Sequence, residues 1–297
     1  MRTKTKGTWL ISIIALAIAV GAGLAALADD AAAILAKSRD LTTAEKYEES
    51  NQLLMDLLKA QPDNPDVYWR IAENYYNLGE HIDIQKDKAK KLDMYKQCEQ
   101  WAKKGLDKNP GLADNSFWMA VGISQQVQTN GIAKSLLADR TIAKKMEDYY
   151  LAAAKAKDFH YKDKNADTVS SANFALGQFY RKVPSFPGVS LLLSTSGDID
   201  KSVEYTKKAY DMYPKNIEYV KEAGVSLMCR STKKNDPQDL EAAKKYLNEA
   251  IALSPVSAID KVDQADSKKL LADPKLACGY SRVQQEEVSA DAFKDKK

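Results

Sequence analysis

The sequence predicts an all-α fold: a right-handed solenoid of about five helix pairs with long inserts inside the pairs and a C-terminal capping helix. The 297 residues include only 13 glycines and 9 prolines, and 29% are charged, a composition that favours helices. Strict alternation of β-branched and polar residues, which marks a half-buried strand, is nearly absent. A short pattern built around a small residue also recurs, which is typical of stacked helix pairs. Its copies are Tyr68-x-x-Ile71-Ala72-x-x-Tyr75, Trp118-x-x-Val121-Gly122, Asn173-x-x-Leu176-Gly177-x-x-Tyr180 and Val220-x-x-Ala223-Gly224-x-x-Leu227.

The first helix of each pair, helix A, carries this pattern. Its small residue lets the second helix, helix B, approach closely, and the bulky residues fill the remaining space. The first helix A is short and weakly patterned. The A helices are predicted near residues 31–39, 65–79, 113–128, 168–182 and 216–230.

Each helix B carries small residues at two positions and ends near a proline or aspartate, and proline cannot continue the hydrogen-bond ladder. A last amphipathic stretch near residues 258–272 is predicted to cap the open end of residues 29–279, and residues 280–297 to form a charged flexible tail. The helix B positions are Ser50, Leu54, Leu57 and Pro62; Cys98, Ala102, Gly105 and Pro110; Met146, Tyr150, Ala153 and Asp158; Ser202, Thr206, Ala209 and Pro214; Ala243, Leu247, Ala250 and Pro255.

Extra segments of about a dozen residues separate helix A from helix B in units two, three and four. They read EHIDIQKDKAKK, QTNGIAKSLLADR and PSFPGVSLLLSTSGD. Because the inserts share one place in the repeat, they should emerge on one edge of the solenoid. Long loops placed consistently on one face usually serve a purpose.

The third insert, residues 183–196, is apolar where a loop should be polar. A solvated helix cannot hide three consecutive leucines, so an apolar rim that contacts a partner or ligand is predicted here. The alternative is that the loop folds back onto its own repeats. We call these residues the insert rim: Phe186, Leu191, Leu192 and Leu193.

Residues 1–28 are predicted to be a secretory signal peptide, with basic residues, an apolar run and Ala26-Leu27-Ala28 before cleavage. The alternative is an uncleaved membrane anchor, because the apolar run approaches spanning length. Without Arg2, Lys4 and Lys6, the 44 lysines and arginines fall to 41, equal to the 41 acidic residues. This balance predicts no nucleic-acid partner.

Three cysteines remain, Cys98, Cys229 and Cys278. An exported protein can pair two of them, and Cys229 with Cys278 is the pair to consider, because Cys98 occupies a small-residue packing position. A buried free cysteine also serves simply as a small apolar residue. The pattern leaves both readings open.

No pattern predicts catalysis, a cofactor or a metal site. The two histidines, His81 and His160, have no ligands at metal-binding spacing. A nucleophile elbow, a phosphate-binding glycine loop and an HExxH motif are all absent from the sequence. An enzyme with an unrecognised site is therefore the lesser hypothesis.

The concave face is the usual recognition surface of a helical stack. The helix A register places a mixed aromatic and charged set there, in which Arg181, Lys182 and Lys221 are predicted to hold a carboxylate. The alternative is that Trp69 and Phe174 pack against the adjacent repeat. The predicted set is Trp69, Glu73, Tyr76, Asn77, Gln126, Phe174, Gln178, Arg181, Lys182 and Lys221.

The spacing resembles the tetratricopeptide repeat. The segments DMYKQCEQWAKKGLDKNP, NSFWMAVG, NGIAKSLL, ALGQFYRKVPSFPG and GDIDKSVEYTKKAYDMYPKN resemble two groups with long inserts within the pairs. One is the exported repeat protein of TRAP-type transporters, the T component, and the other is the regulator of microtubule dynamics family.

The transporter-associated resemblance implies a periplasmic scaffold that engages a solute-binding protein and helps to pass a small organic ligand. The sequence lacks the cysteine of a lipoprotein, so membrane tethering is not predicted. The alternative is a general envelope-assembly or self-assembling scaffold without a small ligand. A homo-oligomer is open in either case.

Overall fold

The computed structural model describes residues 30–282 and 285–293, and its regular elements over those ranges are helices. The predicted all-α fold is therefore confirmed. Within these ranges, an isolated antiparallel β-bridge joins Lys162 to Asp167. The predicted signal peptide, residues 1–28, lies outside the described residues.

The helices alternate along the chain as helix A and helix B, except for two short α-helices that lie within the second and third inserts. Two short 3₁₀ helices, Pro274–Leu276 and Ala290–Phe293, follow the last α-helix. The α-helices are α1 (residues 30–43), α2 (Tyr47–Ala60), α3 (Pro65–Glu80), α4 (Ile84–Lys108), α5 (Ala113–Asn130), α6 (Ile132–Ala138), α7 (Ile142–Lys155), α8 (Thr168–Lys182), α9 (Val189–Leu193), α10 (Ile199–Met212), α11 (Ile217–Lys234), α12 (Pro237–Ala252) and α13 (Ala258–Ala272).

The A helices form a continuous inner layer. Successive A helices touch, α3 with α5, α5 with α8, and α8 with α11, and α11 in turn touches α13. The B helices α4, α7, α10 and α12 contact the neighbouring A helices instead. A stack that is closer together on one side curves toward that side, so the A helices line the concave face.

Small residues set the distance between the layers. A Cβ atom on Gly122 of α5 would lie 2.7 Å from the backbone nitrogen of Glu99 on α4. Gly177 of α8 meets α10 in the same way, because a Cβ there would lie 3.1 Å from the backbone nitrogen of Thr206. The recurring glycines therefore mark the points where helix A and helix B touch through their backbones.

Each of the three inserts contains helical residues, and the third is helical only over Val189–Leu193. The first extends helix B toward its N-terminus, with a break at Asp87, where φ is −150° and ψ is 75°. The second and third contain α6 and α9. Both short helices follow a glycine with a positive φ, Gly131 at 96° and Gly188 at 84°, a conformation that L side chains rarely adopt.

A disulfide joins Cys229 of α11 to Cys278, with their Cα atoms 4.7 Å apart. The pairing that the sequence left open is thus present, and Cys98 is a buried free thiol. The cross-link anchors the residues after α13 against the inner layer.

The C-terminal residues 277–282 and 285–293, which we call the C-terminal segment, are packed against the solenoid. Arg181 of α8 donates hydrogen bonds to the backbone oxygens of Ala277 and Tyr280, at 2.8 and 3.0 Å. Glu286 accepts hydrogen bonds from the backbone of α6, and Phe293 contacts Phe186. Where the sequence predicts a charged flexible tail from residue 280 onward, the structure places residues 280–282 and 285–293 against the solenoid through these contacts.

Within the two described ranges, no helix has both the length and the apolar character needed to cross a membrane.

Candidate functional site

A groove of about 400 Å³ runs along the concave face, and we call it the inner groove. Helices α3, α5, α8 and α11 contribute its floor. Residues 161–166, between α7 and α8, and residues 280–282 of the C-terminal segment form its sides. Its volume lies in the range of sites that hold a small molecule or several peptide side chains.

Aromatic rings form much of the groove surface. Tyr76 of α3 and Trp118 of α5 have ring centroids 5.4 Å apart, and Phe174 of α8 and Tyr219 of α11 have centroids 5.3 Å apart. Such tilted pairs hold each other rigid while leaving ring faces and edges for an occupant. The lining rings are those of Tyr76, Phe117, Trp118, Tyr150, Tyr161, Phe174, Tyr219 and Tyr280.

The charged residues of the lining are more acidic than basic. Two cationic side chains, Lys221 and Arg282, face the groove. The lining carboxylates are those of Glu73, Glu80, Asp163 and Glu218.

Both cations are held by Asp263, a buried acidic residue of α13. Lys221 Nζ donates to Asp263 Oδ1 at 2.5 Å and to the Tyr280 hydroxyl at 3.0 Å. Arg282 donates to Asp263 at 2.9 Å and to Glu218 at 2.5 Å. Burial of Asp263 opposes its charge, but Lys221 and Arg282 outweigh that effect and lower its pKa.

The pKa of Glu218 shifts in the opposite direction to that of Asp263. Burial raises the pKa of Glu218, and the nearby Arg282 offsets that effect only in part. The charged form of this carboxylate is therefore incompletely stabilised at the groove surface.

The structure brings five of the predicted concave-face residues together. The other predicted side chains lie elsewhere. Trp69 is fully buried and donates to Asp66 at 3.0 Å, so its packing alternative holds. Gln126 faces helix B, where it donates to Glu99 at 2.6 Å, and Asn77 is half-buried outside the lining. The predicted residues that line the groove are Glu73, Tyr76, Phe174, Gln178 and Lys221.

The predicted carboxylate site of Arg181, Lys182 and Lys221 does not form. Arg181 is buried, pairs with Glu222 and binds the C-terminal segment. Lys221 is held by Asp263. Arg181 and Lys221 therefore already have partners within the protein. The C-terminal segment and α13 cover the helix A positions that the repeat register predicts to be exposed on the concave face.

Lys182 lies beside an apolar pocket between α5, α6, α7 and α8 that adjoins the inner groove. Its Nζ atom donates to Gln128 Oε1 at 2.9 Å, and Val127, Ile132 and Met146 line the pocket. Burial lowers the pKa of Lys182 to about 7, and the neighbouring charge of Arg181 adds to the shift.

The insert rim divides between burial and exposure. Leu193 is fully buried, whereas Leu191 is 89% exposed and Leu192 is 38% exposed. Phe186 contacts Phe293, with ring centroids 5.4 Å apart. The fold-back alternative thus holds for part of the insert, and two leucines remain on the surface.

The two histidines lie far apart in the chain, one directly after α3 and the other in the connection between α7 and α8. His81 follows α3 and contacts the Tyr47 ring, and His160 contacts Asp66 at 2.9 Å. Across residues 30–282 and 285–293, no group of three or more histidine, cysteine or acidic side chains could hold a metal ion.

Sequence reasoning missed the side walls of the groove. Tyr161 and Asp163 belong to the connection between α7 and α8, and Tyr280 and Arg282 belong to the C-terminal segment. Neither stretch has helical periodicity, so the helix A register could not include them. Their spacing carries no signal that would have located them.

The fold and the groove define a helical-repeat protein with an aromatic concave surface. Residues 34–157, which include α2 to α7 and most of α1, match the family model described as Regulator of microtubule dynamics protein 1-3. The match covers less than half of the 297-residue chain. It agrees with one of the two resemblances found in the sequence. No curated protein matches the chain.

Proposed function

We propose that this protein is an exported binding scaffold of the tetratricopeptide type, without a catalytic role, that takes up a segment of a partner protein in its inner groove. The observation that carries this proposal is the groove itself, which is about 400 Å³ in volume, lined by eight aromatic rings and formed by consecutive A helices. Rigid aromatic residues in a concave site supply large contact area at low entropic cost.

The disulfide and the sequence of residues 1–28 support export. A disulfide between Cys229 and Cys278 persists in an oxidising compartment such as the periplasm and is rare in the cytosol. The partner suggested by the transporter-associated resemblance is a periplasmic solute-binding protein of a TRAP-type transporter. A small organic ligand would occupy the same groove.

Photocrosslinking tests the groove as the partner site. Replacing Phe174, which lines the groove, by p-benzoylphenylalanine should give discrete covalent adducts in envelope extracts after irradiation. The matched control places the same residue at Met212 at the end of α10, a B helix, where the native side chain is 42% exposed. Equal adducts from both positions, or none from Phe174, would overturn the proposal.

The exposed leucines of the insert rim support a second candidate, a scaffold that assembles with copies of itself or with envelope components. Leu191 is 89% exposed on the third insert, which is unusual for leucine. Sedimentation of the wild type and of Leu191→Asp/Leu192→Asp measures self-association. Monomeric behaviour of the wild type at all concentrations would argue against self-assembly.

A further inference from the structure

We infer that the partner segment presents a lysine or arginine side chain, flanked by apolar residues, to the inner groove. This inference rests on the proposed function and adds the chemistry of the occupant. It reverses the carboxylate ligand predicted from the sequence. Three features of the groove point to a cation.

The first feature is the excess of hydrogen-bond acceptors. Asp163 and Glu80 line the groove with Glu73 and Glu218. The Gln125 Oε1 atom also belongs to a lining residue, is buried and has no hydrogen-bond partner. A buried acceptor without a donor is costly, and an ammonium or guanidinium group carries several donors and no acceptor.

The second feature is that the lining cations are already engaged. Lys221 and Arg282 converge on Asp263, which is fully buried, and Tyr280 accepts a further bond from Lys221. An anionic occupant would have to compete with these buried pairs, and breaking such a pair leaves an uncompensated charge. A cationic occupant needs no such exchange.

The acidic side chains differ in their compensation. Glu73 is paired with Arg39 at 2.8 Å, whereas Glu80 lies 4.0 Å from Lys91 Nζ and accepts a hydrogen bond from the neutral Tyr95 hydroxyl at 2.5 Å. Asp163 accepts a hydrogen bond from the backbone of its neighbour Lys164. The raised pKa of Glu218 agrees with this imbalance, because a nearby cation would favour its charged form.

The third feature is the aromatic surface. The faces of Tyr, Trp and Phe rings attract a cation within about 6 Å, and the same rings accept aliphatic side chains. The protein already uses this contact on its own surface, where Lys104 Nζ lies 3.8 Å from the Trp101 ring centroid. A groove lined by aromatic rings and hydrogen-bond acceptors thus suits a basic side chain between apolar neighbours.

Labelled peptides test the charge preference directly. Three fluorescein-labelled hexapeptides have the same leucine-rich sequence and differ at one central position, which is lysine, glutamine or glutamate. Fluorescence anisotropy with the full chain should show the lysine peptide binding about tenfold more tightly than the glutamate peptide, as one charge-assisted hydrogen bond would give. The preference should shrink as salt is raised.

Variants locate the effect within the groove. Asp163→Asn and Glu80→Gln should each weaken binding of the lysine peptide about threefold or more while leaving the glutamine peptide nearly unchanged. The control Glu204→Gln removes the same charge from the exposed face of α10, where Glu204 pairs with Lys208, and should have no effect. Circular dichroism confirms that each variant is folded.

The outcomes separate this inference from the proposed function. Equal binding of the lysine and glutamate peptides, tighter binding of the glutamate peptide, or no binding of any peptide would overturn the cationic occupant. If adducts still form from position 174, the groove remains a partner site with different chemistry. If the adducts are also missing, the proposed function fails as well.

Discussion

Gly122 determines how closely α5 approaches α4. An added methyl group would lie 2.7 Å from the Glu99 nitrogen and 3.0 Å from its Cα atom, both backbone atoms that cannot move aside alone. Gly122→Ala should therefore lower the free energy of unfolding by about 1–3 kcal/mol, measured by urea denaturation, because overpacking forces the helices apart.

The matched control is Gly111→Ala, where an added Cβ would lie 3.6 Å from Asn109 Oδ1 and the residue is exposed. Its effect should stay within about 0.5 kcal/mol, as for most surface substitutions. A loss at Gly122 no larger than the loss at Gly111 would show that the two helices are not in backbone contact there.

Lys182 should make stability depend on pH. Burial, aided by the charge of Arg181, lowers its pKa from 10.5 to about 7. Above pH 7 the unfolded chain still binds a proton at this lysine that the folded chain has released, so folding becomes more favourable as pH rises. Between about pH 6 and pH 9, the unfolding free energy of the wild type should therefore rise relative to that of Lys182→Met.

Denaturant unfolding at both pH values measures this difference. Lys96→Met, at an exposed position of α4, serves as the control and should track the wild type at both values. If Lys182→Met also tracks the wild type, the lysine is not held in a desolvated site.

At the scale of single elements, the start of α8 illustrates how local sequence sets a helix end. Asp167 accepts a hydrogen bond from the Ser170 nitrogen at 2.7 Å, and Ser170 Oγ accepts one from the Asp167 nitrogen at 2.9 Å. Asp167 also accepts a bond from the Tyr213 hydroxyl at 3.0 Å. This reciprocal cap satisfies backbone donors that the helix leaves unpaired.

Asp167→Ala should destabilise the protein by about 1–2 kcal/mol, because it removes the cap and leaves Tyr213 without that acceptor. Thermal denaturation followed by circular dichroism measures the loss. Asp167→Asn should retain most of the stability, since asparagine caps nearly as well. Equal losses in the two variants would assign the effect to the charge of Asp167 instead of its capping bond.

The A and B helices were predictable because their packing repeats with a helical period. The sequence places Gly177 and Thr206 at packing positions of helix A and helix B, for example, and the structure brings the two residues into contact. The side walls of the groove were not predictable. Arg181 sits in the inward register, yet it is buried because the C-terminal segment covers it. The C-terminal segment is held by hydrogen bonds to its backbone, so its side chains follow no periodic pattern from which its position could be predicted.

At the scale of the whole molecule, the C-terminal segment adds long-range contacts to a repeat fold. A simple solenoid has contacts only between neighbouring repeats. Here Glu286 reaches back to the Ile132 nitrogen at 3.0 Å, and Phe293 reaches Phe186 in the third insert. The segment therefore connects the capped end of the stack to its middle and completes one side of the inner groove.

The Cys229–Cys278 disulfide anchors the start of that segment. It closes a loop with a sequence separation of 49 residues, for which the loss of chain entropy in the unfolded state corresponds to about 4 kcal/mol. Reduction followed by alkylation should therefore lower the unfolding midpoint of the wild type markedly. The double variant Cys229→Ser/Cys278→Ser should have an unfolding midpoint near that of the reduced wild type, and reductant should not change it.

Thiol titration of the oxidised wild type under denaturing conditions should find one thiol, that of Cys98. Three titratable thiols, or a midpoint that ignores reductant, would mean that contacts such as those of Arg181 hold the segment without the cross-link.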